Sequence, residues 1–212
     1  FAVGKLRIGV LGGSFNPPHI GHLLLATDAF ESLALDRMMI IPASANPLKA
    51  QEPKTPVASQ RMDMVRLAFG DDSRFEVSSM EMDRGGLSYT VDTLEALASQ
   101  NPGAELVLLL GLDAYRGFDR WKLPERIREL ARIAVFLRGD DSSLPNGAVA
   151  VTARRVDVSS TEIRARVAAG LPIRGFVVES VERYIFTAKL YSSRSAGHES
   201  AQREGKEENG NG

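Results

Sequence analysis

Short runs of aliphatic and β-branched residues alternate along this chain with stretches in which apolar residues recur at helical spacing. A buried strand is predicted over 6–11, followed by a glycine- and proline-rich turn over 12–18 and a helix over 20–33. A second strand over 37–42 leads into a long proline-punctuated loop over 43–56. The helix predicted over 58–69 carries Met62, Val65, Leu67 and Phe69 on or near its apolar side. A short strand over 74–78 and a helix over 90–99, with Val91, Leu94 and Leu97 on one face, come next. The most apolar strand, 105–110, ends in Gly111-Leu112-Asp113. A helix over 124–131, strands over 133–137 and 149–158, and helices over 160–169 and 178–191 complete the pattern.

Strands alternating with helices of this length predict βαβ units. The expected fold is α/β: a Rossmann-like, doubly wound, mostly parallel sheet with helices on both faces and a small C-terminal helical part. Such sheets bind ligands beyond the carboxyl ends of their strands, at a switch point in strand order. Residues 1–191 are expected to form one domain. Residues 192–212 hold almost nothing apolar and read as a disordered polar tail.

Composition narrows the classes. Of 212 residues, 43% are hydrophobic and 25% charged, as in a globular chain able to build a core. There is no cysteine, which removes disulfides, thiolate metal sites and cysteine nucleophiles and is compatible with a cytoplasmic location. With 26 basic and 27 acidic residues the chain has no basic surplus, so nucleic acid is not an expected partner. The longest apolar runs, such as 106–112, fall far short of the ~20 residues of a membrane span. Residues 1–5 show no n-region or h-region, so no secretory signal is expected.

The first strand runs into Gly12-Gly13-Ser14-Phe15-Asn16-Pro17-Pro18-His19-Ile20-Gly21-His22. Glycines at 9, 12, 13 and 21 do not fit the dinucleotide fingerprint, and no Walker lysine is present. What remains is a glycine pair after a strand and two histidines three apart at a helix start. Free helix N–H groups and two imidazoles on one face suit an anion. A helix cap or a packing role is the other reading of a histidine there. A metal site would need a further ligand such as Asp113, and no H-E-x-x-H pattern exists, so no protein metal site is expected. The second cluster, Val158-Ser159-Ser160-Thr161-Glu162-Ile163-Arg164, again leads a strand into a helix. Ser159 to Glu162 has capping-box spacing. Three hydroxyls with Arg164 one turn on also suit a polyphosphate.

The His19-Ile20-Gly21-His22 segment, with Gly12-Gly13-x-Phe15-x-Pro17 before it, resembles the signature of the nucleotidyltransferase superfamily. Ser159-Ser160-Thr161-x-x-Arg164 resembles that superfamily's second motif. Glu81-x-x-Arg84-x-Gly86-x-Ser88-Tyr89-Thr90-x-x-Thr93-Leu94, Gly111-x-Asp113 with Trp121, and Val181-x-x-Tyr184-Ile185 with Leu190-Tyr191 are similar to bacterial nicotinate-nucleotide adenylyltransferases. The resemblance spans 6–191. It departs from the family pattern at Asn46-Pro47-Leu48-Lys49, where a histidine usually precedes the lysine, and at Arg138-Gly139, where a proline is missing.

The resemblance implies transfer of AMP from ATP to nicotinate mononucleotide, giving deamido-NAD and pyrophosphate. His19, His22 and Arg164 would then be catalytic. Gly12, Gly13, Ser14, Phe15, Gly111, Asp113, Arg138, Ser160 and Thr161 would bind ATP. Asn16, Lys49, Thr90, Tyr115 and Trp121 would bind the mononucleotide, with Trp121 stacked on the pyridine ring. Mg²⁺ would be bound mainly through substrate phosphates. Other acceptors, namely nicotinamide mononucleotide, phosphopantetheine or FMN, define sister transferases, and a non-catalytic nucleotide-binding module is the remaining class. The sequence also allows a homo-oligomer.

Overall fold

The computed structural model describes residues 4–45, 55–137, 147–154 and 156–192. Six strands, β1 (Arg7–Gly13), β2 (Arg37–Pro42), β3 (Phe75–Val77), β4 (Glu105–Gly111), β5 (Ala131–Leu137) and β6 (Ala148–Thr152), form one sheet. Their order is β3-β2-β1-β4-β5-β6, and every neighbouring pair is parallel. Strand order therefore reverses between β1 and β4, the switch point of a doubly wound sheet.

Helices α1 (Ile20–Ser32) and α2 (Ala58–Phe69) cover one face, where Ala26, Ala29, Val65 and Phe69 meet Leu11, Met38, Ile40, Val107 and Leu109. Helices α3 (Met80–Arg84), α4 (Thr90–Gln100), α5 (Leu112–Arg116) and α6 (Pro124–Leu130) follow in the chain. Residues of α4, α5 and α6, among them Leu94, Tyr115 and Ile127, pack on the other face against Ile8, Val10, Leu106 and Leu108. Alternate strand residues thus enter two cores, which is why the strands read as unbroken apolar runs. Helices α7 (Ser160–Ala168) and α8 (Glu179–Thr187) build a third cluster with Ile173 and Leu190, docked through Met64 of α2. Among the described residues no helix is long and apolar enough to cross a membrane.

The expected elements are present with corrections at their ends. The strand predicted over 149–158 stops at Thr152, which pairs with Leu137 of β5. β1 runs through Gly12 and Gly13, which pair with Ile41 and Pro42, so the glycine pair closes the strand rather than opening the turn. Helix α8 ends at Thr187 instead of 191; Lys189 and Tyr191 take positive φ, and the turn folds Leu190 and Tyr191 into the third cluster. Leu67, expected on the apolar side of α2, is exposed. The five-residue helices α3 and α5 are too short to have shown a period. The tail predicted as disordered lies, from residue 193, outside the described residues, as do Lys49 and Arg138.

Candidate active site

A cavity of about 700 Å³ opens at the switch point, between the carboxyl ends of β1 and β4. Gly12, Gly13, Ser14, His19 and His22 line it from the β1–α1 side, and Gly111 and Asp113 from the end of β4. Ser88, Tyr89, Thr90 and Trp121 line it beside the start of α4. Four basic side chains, Arg116, Arg120, Lys122 and Arg154, stand among the lining residues against two carboxylates, Glu81 and Asp113. That balance suits an anionic ligand.

His19 is the N-cap of α1, its backbone extended, and the helix begins at Ile20. Its backbone N–H donates to Nδ1 of His22 at 3.1 Å. A neutral His22 that accepts at Nδ1 carries its proton on Nε2, so the ring keeps a donor. The two imidazoles stack with centroids 3.7 Å apart and planes inclined by 32°. His19 is 8% exposed, and its Nδ1 is buried with no hydrogen-bond partner among the described residues. Burial pushes its pKa down to about 4, so the ring is neutral near pH 7. Gly21 makes this packing possible: a Cβ there would lie 3.0 Å from His19 Nδ1 and 3.1 Å from Cε1. At Gly12, by contrast, an added Cβ would meet nothing closer than Ile41 O at 4.0 Å. The lack of a side chain at Gly12 leaves backbone bare toward the cavity, where a ligand can approach it.

The loop between β1 and α1 is fastened from below. Asn16-Pro17 is a cis peptide. Arg164 Nη1 donates to Asn16 O at 2.9 Å and Ser160 Oγ donates to Pro17 O at 2.8 Å. Tyr191 donates its hydroxyl to Asn16 Oδ1 at 2.7 Å. The start of α7 is capped by Ser159, whose hydroxyl accepts from Glu162 N–H at 3.1 Å, as the capping spacing predicted. Arg164 Nη2 also reaches Thr161 Oγ1 at 3.4 Å.

Beside α4, Ser88 Oγ accepts from Ser44 N–H at 2.9 Å, and Tyr89 is the N-cap, leaving Thr90 at the first helical position. Lys122 Nζ lies 4.5 Å from the centre of the Tyr89 ring and 3.1 Å from Asp92 Oδ1. The segment carrying Trp121 is thereby held against the start of α4.

Of the residues singled out from sequence, His19, His22, Gly12, Gly13, Ser14, Gly111, Asp113, Thr90 and Trp121 share one cavity. Phe15 and Tyr115 do not line it. Phe15 is buried in the core 5.0 Å from the His22 ring, and Tyr115 stacks on Phe118 at 6.0 Å. Asn16, Ser160, Thr161 and Arg164 do not line the cavity; Ser160 and Arg164 instead brace the β1–α1 loop through Pro17 O and Asn16 O. Sequence reasoning passed over Glu81, a buried carboxylate on the cavity that accepts from Thr93 Oγ1 at 2.6 Å. It also passed over Arg61, a buried cation on α2. Glu81 opens the middle motif and was open to discovery there. Arg61 is one of two arginines on a helix with polar neighbours Gln60 and Asp63, and nothing in the spacing marked it.

A family model described as cytidylyltransferase-like matches residues 10–166. A probable nicotinate-nucleotide adenylyltransferase from Gemmatimonas aurantiaca is 42% identical over 209 residues, covering 93% of this chain and 98% of its own. A relative of the same description from Thermus thermophilus is 43% identical over 190 residues, covering 88% and 100%. Among solved structures, Plasmodium falciparum nicotinic acid mononucleotide adenylyltransferase complexed with NaAD matches with a TM-score of 0.73. Its identity is 16%, with 88% of this chain and 98% of that one covered, so the likeness is one of fold.

Proposed function

This chain belongs to the cytidylyltransferase-like family, and we propose that it transfers AMP from ATP to nicotinate mononucleotide. An oxygen of the mononucleotide 5′-phosphate attacks the α-phosphorus; that bond forms as the bond to the β-phosphate oxygen breaks. Pyrophosphate leaves and deamido-NAD remains. One observation carries this reading: the paired histidines at a helix start, and Trp121 beside a second helix start, line the same cavity.

The protein has no bond to make in such a transfer, so its work is placement and charge stabilisation. Gly12 and Gly13 bring bare backbone to the nucleotide. His22, with its proton on Nε2, donates to α-phosphate oxygens as charge grows on them. His19 is neutral before ATP arrives; the incoming phosphates favour its protonated form and reverse part of the burial penalty. Ser160, Thr161 and Arg164 do not line the cavity, and their part in holding the departing pyrophosphate rests on the resemblance, with Ser160 and Arg164 already bracing the loop that carries His19. Asp113 serves a ribose hydroxyl. Lys49 and Arg138 belong to this assignment on the resemblance alone, and Phe15 and Tyr115 act from the core, beneath the site.

Trp121 stacks on the pyridine ring, a contact worth roughly 1–3 kcal/mol. The first N–H groups of α4, at Thr90, face the nicotinate carboxylate. Members of such families work with a divalent cation, and we assign Mg²⁺. No group of three His, Cys, Asp or Glu side chains among the described residues gathers to grip a metal. In that assignment the ion is carried mainly by phosphate oxygens and water. Bound there, it would neutralise phosphate charge.

The test is incubation with ATP and, in turn, nicotinate mononucleotide, nicotinamide mononucleotide, phosphopantetheine and FMN, following pyrophosphate release. Release with nicotinate mononucleotide, and deamido-NAD as product, is the expected result. Release only with another acceptor would reassign the chain to a sister activity, and none with any acceptor would leave a binding module.

A further inference from the structure

Arg61 is 5% exposed, and no carboxylate among the described residues pairs with it. Its partners are three backbone carbonyls: Nη1 donates to Ser14 O at 3.0 Å and to Ala43 O at 2.7 Å, and Nη2 donates to Ser44 O at 2.8 Å. Its Nε is buried without a partner among the described residues, and burial holds its pKa below the usual guanidinium value. A buried cation with no carboxylate partner among the described residues is costly to desolvate and a poor way to gain stability. What the guanidinium supplies is a fixed planar fork.

That fork joins the two turns on which the proposed reaction depends. Ser14 follows the Gly12-Gly13 pair and leads toward His19, and Ala43 N–H donates back to Gly13 O at 2.9 Å. The peptide whose carbonyl Arg61 holds at Ala43 presents the N–H of Ser44, which donates to Ser88 Oγ at 2.9 Å. Ser88 N–H returns a bond to Ala45 O at 2.9 Å, and Tyr89 and Thr90 follow directly.

We infer that Arg61 is a positioning residue that fixes the nucleotide turn at Gly12–Ser14 and the acceptor turn at Ser88–Thr90 in one frame. It touches neither substrate. It sets the distance over which the attacking phosphate must meet the α-phosphorus, and it rests on the reaction proposed above. A displacement of about 1 Å between reacting groups lowers rates by about 10²-fold.

The experiment uses the full chain. Arg61→Lys keeps the positive charge and loses the fork. It is expected to lower kcat for deamido-NAD formation by about 10- to 100-fold. Amide hydrogen exchange should quicken at 43–45 and 88–90 and stay unchanged in the central strands. Ser88→Ala leaves Arg61 and the Ser88 N–H bond to Ala45 intact, removes the hydroxyl link to Ser44, and should lower kcat in the same direction by a smaller factor. An Arg61→Lys loss smaller than about fivefold, exchange raised evenly through the sheet, or an unaffected Ser88→Ala enzyme overturns the inference. The exchange readout needs no substrate. A wild-type chain that never forms deamido-NAD would therefore defeat the proposed reaction and leave Arg61 still tested.

Discussion

His19 combines an anion-facing position with an interior that resists charge. Its free-chain pKa of 6.5 falls to about 4 in the folded protein because burial disfavours the imidazolium. The unfolded chain therefore binds a proton between these values and the native one does not, so stability rises with pH across that window. The contribution is about 3 kcal/mol, complete above pH 6.5 and lost as pH falls toward 4. Melting temperatures from pH 4 to 7.5 should fall more steeply on acidification for the wild type than for His19→Gln, and parallel curves would contradict it. His22 should matter to rate rather than to folding. Removing one placed donor from developing charge lowers rates by about 10²–10³-fold, so His22→Ala should lose kcat with little change in melting temperature. The pair was legible in the sequence because spacing alone puts both rings at a helix start. Arg61 was not, since its three partners are carbonyls, and any residue type at 14, 43 or 44 would have offered the same groups.

In the proposed reaction, helix starts carry much of the recognition. The start of α4 presents N–H groups that a carboxylate can accept from, and an amide fills those positions with an NH₂ group that cannot. A hydrogen bond to a charged group is worth about 1.5–3 kcal/mol and the helix end about 0.3–1 more. The acid should therefore be preferred over nicotinamide mononucleotide by between about one and three decades in kcat/KM. Equal kcat/KM values for the two would remove α4 from the acceptor site. Elements with a clear period, such as α2 over Ala58–Phe69 and β2 over Arg37–Pro42, were readable to the residue. Those fixed by tertiary partners were not: α3 and α5 are single turns placed by what they pack on.

Across the whole molecule, the C-terminal helices are joined to the β1–α1 loop rather than appended to the domain. Met64 sits among Ile163, Val181 and Ile185, and Tyr191 reaches Asn16. Shortening the chain after Ser192 removes only polar sequence and should leave turnover within about twofold, whereas ending it after Leu190 also removes the Tyr191 hydroxyl and should lower kcat. Steady-state assays of the two truncations, with melting curves alongside, check this. Similar loss from both would mean residues 193–212 take part. The Tyr191–Asn16 bond spans 175 positions of sequence. A ribosome adding roughly 5–20 residues per second has threaded the loop long before it reaches the tyrosine that fastens it. The nascent polypeptide therefore carries an unbraced β1–α1 loop for on the order of ten seconds or more, and the brace can form only once Tyr191 has been made.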